Sequence, residues 1–161
     1  MIILACGGVG FSMATAHRQK ENMLQQIISA VALMTSELQF RQTVLPQLMH
    51  LCAKETSGTI SRVFAAMHRE LQRQIAPDAA CCMAAVVDEM PKMPDSIREK
   101  LTLLGNCLGR YDLSGQISGL ETVAQLCQRE LSGLLHNRDA RMRSYVTLGL
   151  CAGVALVILF I

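Results

Sequence analysis

Tryptophan is absent from this chain, and its 161 residues include only two tyrosines, four phenylalanines and four prolines. With so few aromatic residues and few alternating β-branched runs, strands have little support. Half of the chain is nevertheless hydrophobic, mainly Leu, Ala, Ile, Val and ten Met, which favour or tolerate helix. A large excess of one charge is also missing. A net charge of +2 gives no footing for a nucleic-acid partner. Cysteine is plentiful but unpatterned: Cys6, Cys52, Cys81, Cys82, Cys107, Cys127 and Cys151 make an odd number with no C-x-x-C pair. They read as thiols packed like small hydrophobes in a reducing compartment, not as a disulfide framework or a zinc site. His17, His50, His68 and His136 form no H-x-x-x-H pair. No metal or cofactor is expected, and no Ser, Cys or Lys has a recognisable activating partner, so the chain does not read as an enzyme.

Charge is absent from one more place. All 28 Lys, Arg, Asp and Glu residues lie between Arg18 and Arg143, leaving both ends uncharged. The run "SYVTLGLCAGVALVILFI" offers 17 residues from Tyr145 onward, ~26 Å of helix, which just spans a bilayer core. Tyr145 suits the interface at its start. The other end, "MIILACGGVGFSMATA", is shorter and carries three glycines. Ala14-Thr15-Ala16 resembles a signal-peptidase site, but no basic residue precedes the apolar stretch as a secretory signal normally requires. Its small residues suit close helix packing within a membrane. We therefore expect transmembrane helices at 1–16 and 144–161, with a helical domain at 17–143 between them. Arg18 and Lys20 follow the first span, and Arg138, Arg141 and Arg143 precede the second. The positive-inside rule then places the middle domain in the cytoplasm and both termini outward.

Helical periodicity runs through the middle. Leu24, Ile27, Val31, Met34 and Leu38 line one face of a helix continuous with the first apolar run. A corner at "QFRQTVLPQ" follows, with Thr43 as expected cap and Pro46 confined to the first turn. Ile60, Phe64, Met67, Leu71 and Ile75 stripe a third helix after "TSGT". Pro77-Asp78 opens a fourth, "AACCMAAVV", expected to be buried on most sides, and "MPKMP" breaks it. Ser96 and Glu99 have capping-box spacing ahead of Ile97, Leu101, Leu104 and Leu108. The last and longest pattern is a heptad: Leu113, Ile117, Leu120, Ala124, Cys127, Leu131 and Leu134. It fits either packing along this chain's own helices or a homo-oligomeric coiled coil. The fold class expected is all-α, a six-helix cytoplasmic bundle flanked by the two spans.

Between the fifth and sixth patterns lies "LGNCLGRYDLSGQ". Gly109 suits a left-handed helix terminus and Asp112 a cap for the next helix. Without a preceding strand or a Gly-x-x-x-x-Gly-Lys-Ser/Thr pattern it makes a poor phosphate loop. We read it as a helix corner with a partner-contact surface on Gly109, Arg110, Asp112 and Gln116.

These features together resemble the stage III sporulation protein AB family of endospore-forming bacteria. The family's turn, Leu-Gly-x-x-Asp-x-x-x-Gln, is matched in register by Leu108, Gly109, Asp112 and Gln116. At the earlier corner Glu37, Leu38, Phe40, Thr43 and Leu45 match, but Val44 stands where proline is usual, with Pro46 two places on. The resemblance implies a likeness to the cytoplasmic domains of the type II secretion platform protein. It also implies a structural role in the assembly joining mother cell and forespore. The partners it implies are the other channel-complex membrane proteins and a secretion-type ATPase, the neighbouring stage III sporulation protein AA. Two other readings remain open: a membrane-tethered regulator that dimerises through the heptad helix, and an exported helical protein cleaved at Ala16.

Overall fold

The computed structural model describes the backbone of residues 2–160 apart from 74–77, 91–92 and 110–111, and side chains from 18 to 136 with the same exceptions. Among the described residues it is all-helical: α1 (Ile2–Phe40), α2 (Leu45–Glu55), α3 (Gly58–Arg73), α4 (Ala79–Asp88), α5 (Asp95–Cys107) and α6 (Leu113–Phe160). No break separates the first apolar run from the stripe that follows, so α1 is one helix of 39 residues. By the same logic α6 continues for 48 residues.

Side-chain contacts fix the directions of the helices. Cys52 lies against the Ala30 carbonyl and Gln26 meets Ser57, so α2 runs back along α1. Ser61 Oγ donates to the Ala53 carbonyl (2.7 Å), and His68 reaches the Pro46 carbonyl (2.6 Å), so α3 is antiparallel to α2. Arg98 donates to the carbonyls of Val87 and Met90 at the foot of α4, which turns α5 upward again. Lys20 pairs with Glu130, while Phe40 borders the same groove as Glu121 and Ala124, which makes α6 antiparallel to α1. The result is an up-and-down bundle in which each helix packs on the next and α6 closes on α1. Helix α1 also touches α3 and α5. The C-terminal ends of α1, α3 and α5 therefore share one end of the bundle. Residues ahead of Lys20 and beyond Glu130 depart from the other.

The expected stripes form the core. Leu24, Ile27, Val31 and Met34 of α1 are buried with Ile60, Phe64 and Met67 of α3 and with Ile97, Leu101, Leu104 and Leu108 at α5. The heptad of α6 is used within the chain. Leu120 and Cys127 are fully buried, and Ala124, Leu131 and Leu134 pack against the same core, while Leu113 at its start is exposed. Val123, outside the heptad pattern, is buried as well. Two glycines let helices approach closely. A Cβ on Gly105 would sit 2.5 Å from Met83 of α4, and one on Gly119 would sit 2.6 Å from the Cys107 sulfur.

Several local expectations are corrected. Ser96 does not cap α5: the helix begins at Asp95 behind an extended Pro94 (ψ 140) with no side-chain cap, which leaves Ser96 inside the first turn. Thr43 does not cap α2. Its hydroxyl donates to Glu37 (2.7 Å), and Val44 stands at the N-cap with no side-chain bond. Pro46 does fall in the first turn. The small-residue helix α4 is buried on one face only: Ala79, Cys82, Met83, Val86 and Val87 face inward and Cys81 is exposed. Among the described residues no helix is long and apolar enough to cross a membrane. The side chains of both uncharged ends, where the two spans are expected, lie outside the described residues.

Candidate functional site

The corner between α5 and α6 is built from its backbone outward. Helix α5 ends at Cys107, the Leu108 N–H bonds the Gly105 carbonyl, and Gly109 turns through φ +78, a conformation open chiefly to glycine. Asp112 then caps α6. One carboxylate oxygen accepts the Gly115 N–H (3.2 Å), the other accepts the Ser114 hydroxyl (2.6 Å), and the Gln116 N–H bonds the Asp112 carbonyl (2.9 Å). The Ser114 hydroxyl, with the Gly115 N–H, holds this exposed carboxyl below its ordinary range. The left-handed terminus expected at Gly109 and the cap expected at Asp112 are thus both present. Gln116 is half-buried one turn in, and Arg110 lies outside the described residues. The carboxylate that takes the Gly115 N–H also puts negative charge at the start of α6, which disfavours a phosphate there.

Neighbouring features come to the same end of the bundle. Ala79 at the start of α4 adjoins Gly109, and Asp78 caps α4 by accepting the Cys81 N–H (2.8 Å). The α1–α2 corner turns on Gln42 (φ 50) and is braced by Glu37, which accepts from both Arg41 (3.2 Å) and Thr43. It presents Phe40 at 82% exposure and Val44 at 60%. From Phe40 a shallow groove of ≈ 360 Å³ runs between α1 and α6, past Thr35 and Val31, with Glu121 and Gln128 opposite. The exposed Phe40 and Val44 thus lie at the same end of the bundle as the Asp112 corner. The exposure of Phe40 was not legible beforehand, because it follows directly on the apolar stripe of α1.

A second cluster holds the long helices together. Glu130 of α6 bonds Lys20 of α1 (2.7 Å) and Lys100 of α5, and Lys100 also reaches the Ser96 carbonyl (3.2 Å). Lys100 is only 8% exposed. Burial pushes the Glu130 carboxyl up, but the bonds from Lys100 and Lys20 outweigh it and hold the group at about 2. The Ser96 hydroxyl is itself buried against this carboxylate, without a partner at full hydrogen-bonding geometry. Nearby, burial pushes the Cys127 thiol up to about 11, and the same effect takes Cys52 to about 12, so both are protonated fillers of the core. Sequence spacing carries no sign of this triad, since its members lie on three helices.

Architecture defines a class: an up-and-down α-helical bundle that leaves its first and last helices running on from one end and turns from α1 to α2 and from α5 to α6 at the other. Residues 1–161 match the model of the stage III sporulation protein AB family, and the chain belongs to that family. A solved structure titled "Stage III sporulation protein AB (SpoIIIAB)" is similar in fold. Its TM-score is 0.68 at 17% identity, over 76% of this chain and 98% of that one. Comparison with curated proteins gives no match.

Proposed function

We propose that this chain is a membrane-anchored scaffold of the secretion-like complex that joins mother cell and forespore during endospore formation. In this reading the bundle stands in the mother-cell cytoplasm, and the end carrying Gly109–Gln116 docks a secretion-type ATPase of the stage III sporulation protein AA kind. Membership of the sporulation family sets the process. The observation that carries the reading is the polarity of the bundle. Both uncharged ends depart from one end through α1 and α6, and the α1–α2 and α5–α6 corners crowd the opposite end with exposed Phe40, Val44 and Asp112. Anchoring at one end leaves the other facing the aqueous side. The basic residues Arg18 and Lys20, and Arg138, Arg141 and Arg143, flank the anchors on that same side.

Co-purification of the full chain with the ATPase tests the proposal. Arg110→Glu and Asp112→Lys should each reduce recovery of the ATPase while the helical far-UV signal stays. Asp112→Asn keeps the cap and removes the charge, separating docking from loss of helix order. Wild-type recovery in both charge reversals would remove the docking site.

A further inference from the structure

Away from these corners, two of the four histidines come together. His50 on α2 and His68 on α3 have ring centres 5.0 Å apart with planes tilted by 36°. Their pairing follows from the regular antiparallel register of α2 and α3, in which Ala53 meets Ser61 and Pro46 meets His68. The carbonyl that holds His68 belongs to Pro46, one helical turn ahead of His50. A carbonyl oxygen only accepts, so His68 must carry its proton on Nδ1. Its Nε2 is then left as a bare lone pair in the neutral ring. Fixing one ring nitrogen on a backbone carbonyl while the other stays open is the usual outer-shell arrangement of a metal-binding histidine.

The spacing agrees. A first-row metal sits about 2.1 Å from an imidazole nitrogen, so two rings sharing one ion at angles between square and tetrahedral have centres about 4.5–5.2 Å apart. The observed 5.0 Å lies within that range. His50 is exposed and His68 half-buried, so an ion has access from solvent. Among the described residues no group of three metal-binding side chains exists, so water would complete the coordination.

We propose that His50 and His68 form a two-imidazole surface site for a late first-row divalent cation such as nickel(II) or zinc(II), clipping α2 to α3. Neutral nitrogen donors select such ions over magnesium or calcium, which take oxygen. Binding weakens as pH falls, because protons compete for the same lone pairs.

The test uses the untagged full chain in detergent, titrated with nickel(II) and followed by the thermal midpoint and by imidazole nitrogen resonances. Nickel(II), which is paramagnetic, should raise the midpoint and broaden away the resonances of His50 and His68 together, while magnesium does neither. His50→Gln removes an exposed ring and its contact with His68, and should weaken binding at least tenfold with the metal-free midpoint little changed. His68→Gln should do the same to binding. His136→Gln and Cys81→Ser should leave it intact. Wild-type affinity in His50→Gln, or loss of binding in His136→Gln or Cys81→Ser instead, overturns the site.

Discussion

At the scale of single residues, Glu130 carries more of the structure than any other ionisable group described. It is the acceptor for lysines from two different helices, and one of them, Lys100, is nearly buried. Removing the carboxylate leaves that ammonium without its counter-charge in a poorly hydrated place. Glu130→Gln should therefore destabilise the chain by about 2 kcal/mol, between the values for exposed and for fully buried pairs. The pH dependence has a definite sign. The folded carboxyl sits at about 2 against an ordinary 4.5, so its contribution is complete above 4.5 and drains away as pH falls toward 2. Urea midpoints of wild type and variant should differ at pH 7 and converge near pH 2. A gap of the same size at both values contradicts the assignment. None of this was visible in the sequence, where Lys20, Lys100 and Glu130 look like members of three solvated helix faces.

At the scale of elements, what could be read was whatever repeats along one helix. The stripes of α1, α3 and α5 proved to be core faces, because an apolar 3-4 spacing has few other destinations. Leu38 and Leu71 are partly buried against the core, and Ile75 lies outside the described residues. Gly109 and Asp112 were legible for a similar reason: a left-handed terminus and a capping carboxylate are local devices. Thr43 was misread because its hydroxyl has a competing partner across space, Glu37, and Ser96 because the helix already starts at Asp95, behind an extended Pro94. Distances between helices were equally hidden. Gly119 and Gly133 lie on the same helix, yet a methyl group at Gly119 meets the Cys107 side chain at 2.6 Å, whereas Gly133 has nothing within 4 Å. Gly133→Ala should stabilise α6 by about 0.5–1 kcal/mol through helix propensity alone. Gly119→Ala should lose that gain and about 1–3 kcal/mol more to overpacking. Thermal unfolding of the two variants should move in opposite directions, and movement in the same direction would contradict the close α5–α6 approach.

For the molecule as a whole, the legible part was its symmetry of charge: two bare ends around a charged middle. The circular order of the helices was not legible, since the heptad of α6 fits a second copy as well as α1. Leu120 and Cys127 of that stripe are buried within the chain, and Leu113 at its start stays exposed. The proposed anchoring makes a prediction at this scale. Compartment-sensitive reporters placed at residue 90 and after Ile161 should report opposite sides of the membrane, with the middle in the cytoplasm. The intact chain should sediment with membranes and resist extraction by carbonate. Reporters on one side, or a chain released by carbonate, would remove the anchored scaffold.

The ring of helices closes between its first and last members, and that has a bearing on birth at the ribosome. While α2 to α5 emerge and pair with their neighbours, the side of α1 that will receive α6 waits uncovered, with Lys20 facing no carboxylate until residue 130 arrives. A closure between such distant points in the chain is slow to form, and it leaves apolar surface open meanwhile. Translation pauses or truncations ahead of α6 should thus yield a sticky, open five-helix intermediate, and synthesis of the final helix acts as the latch.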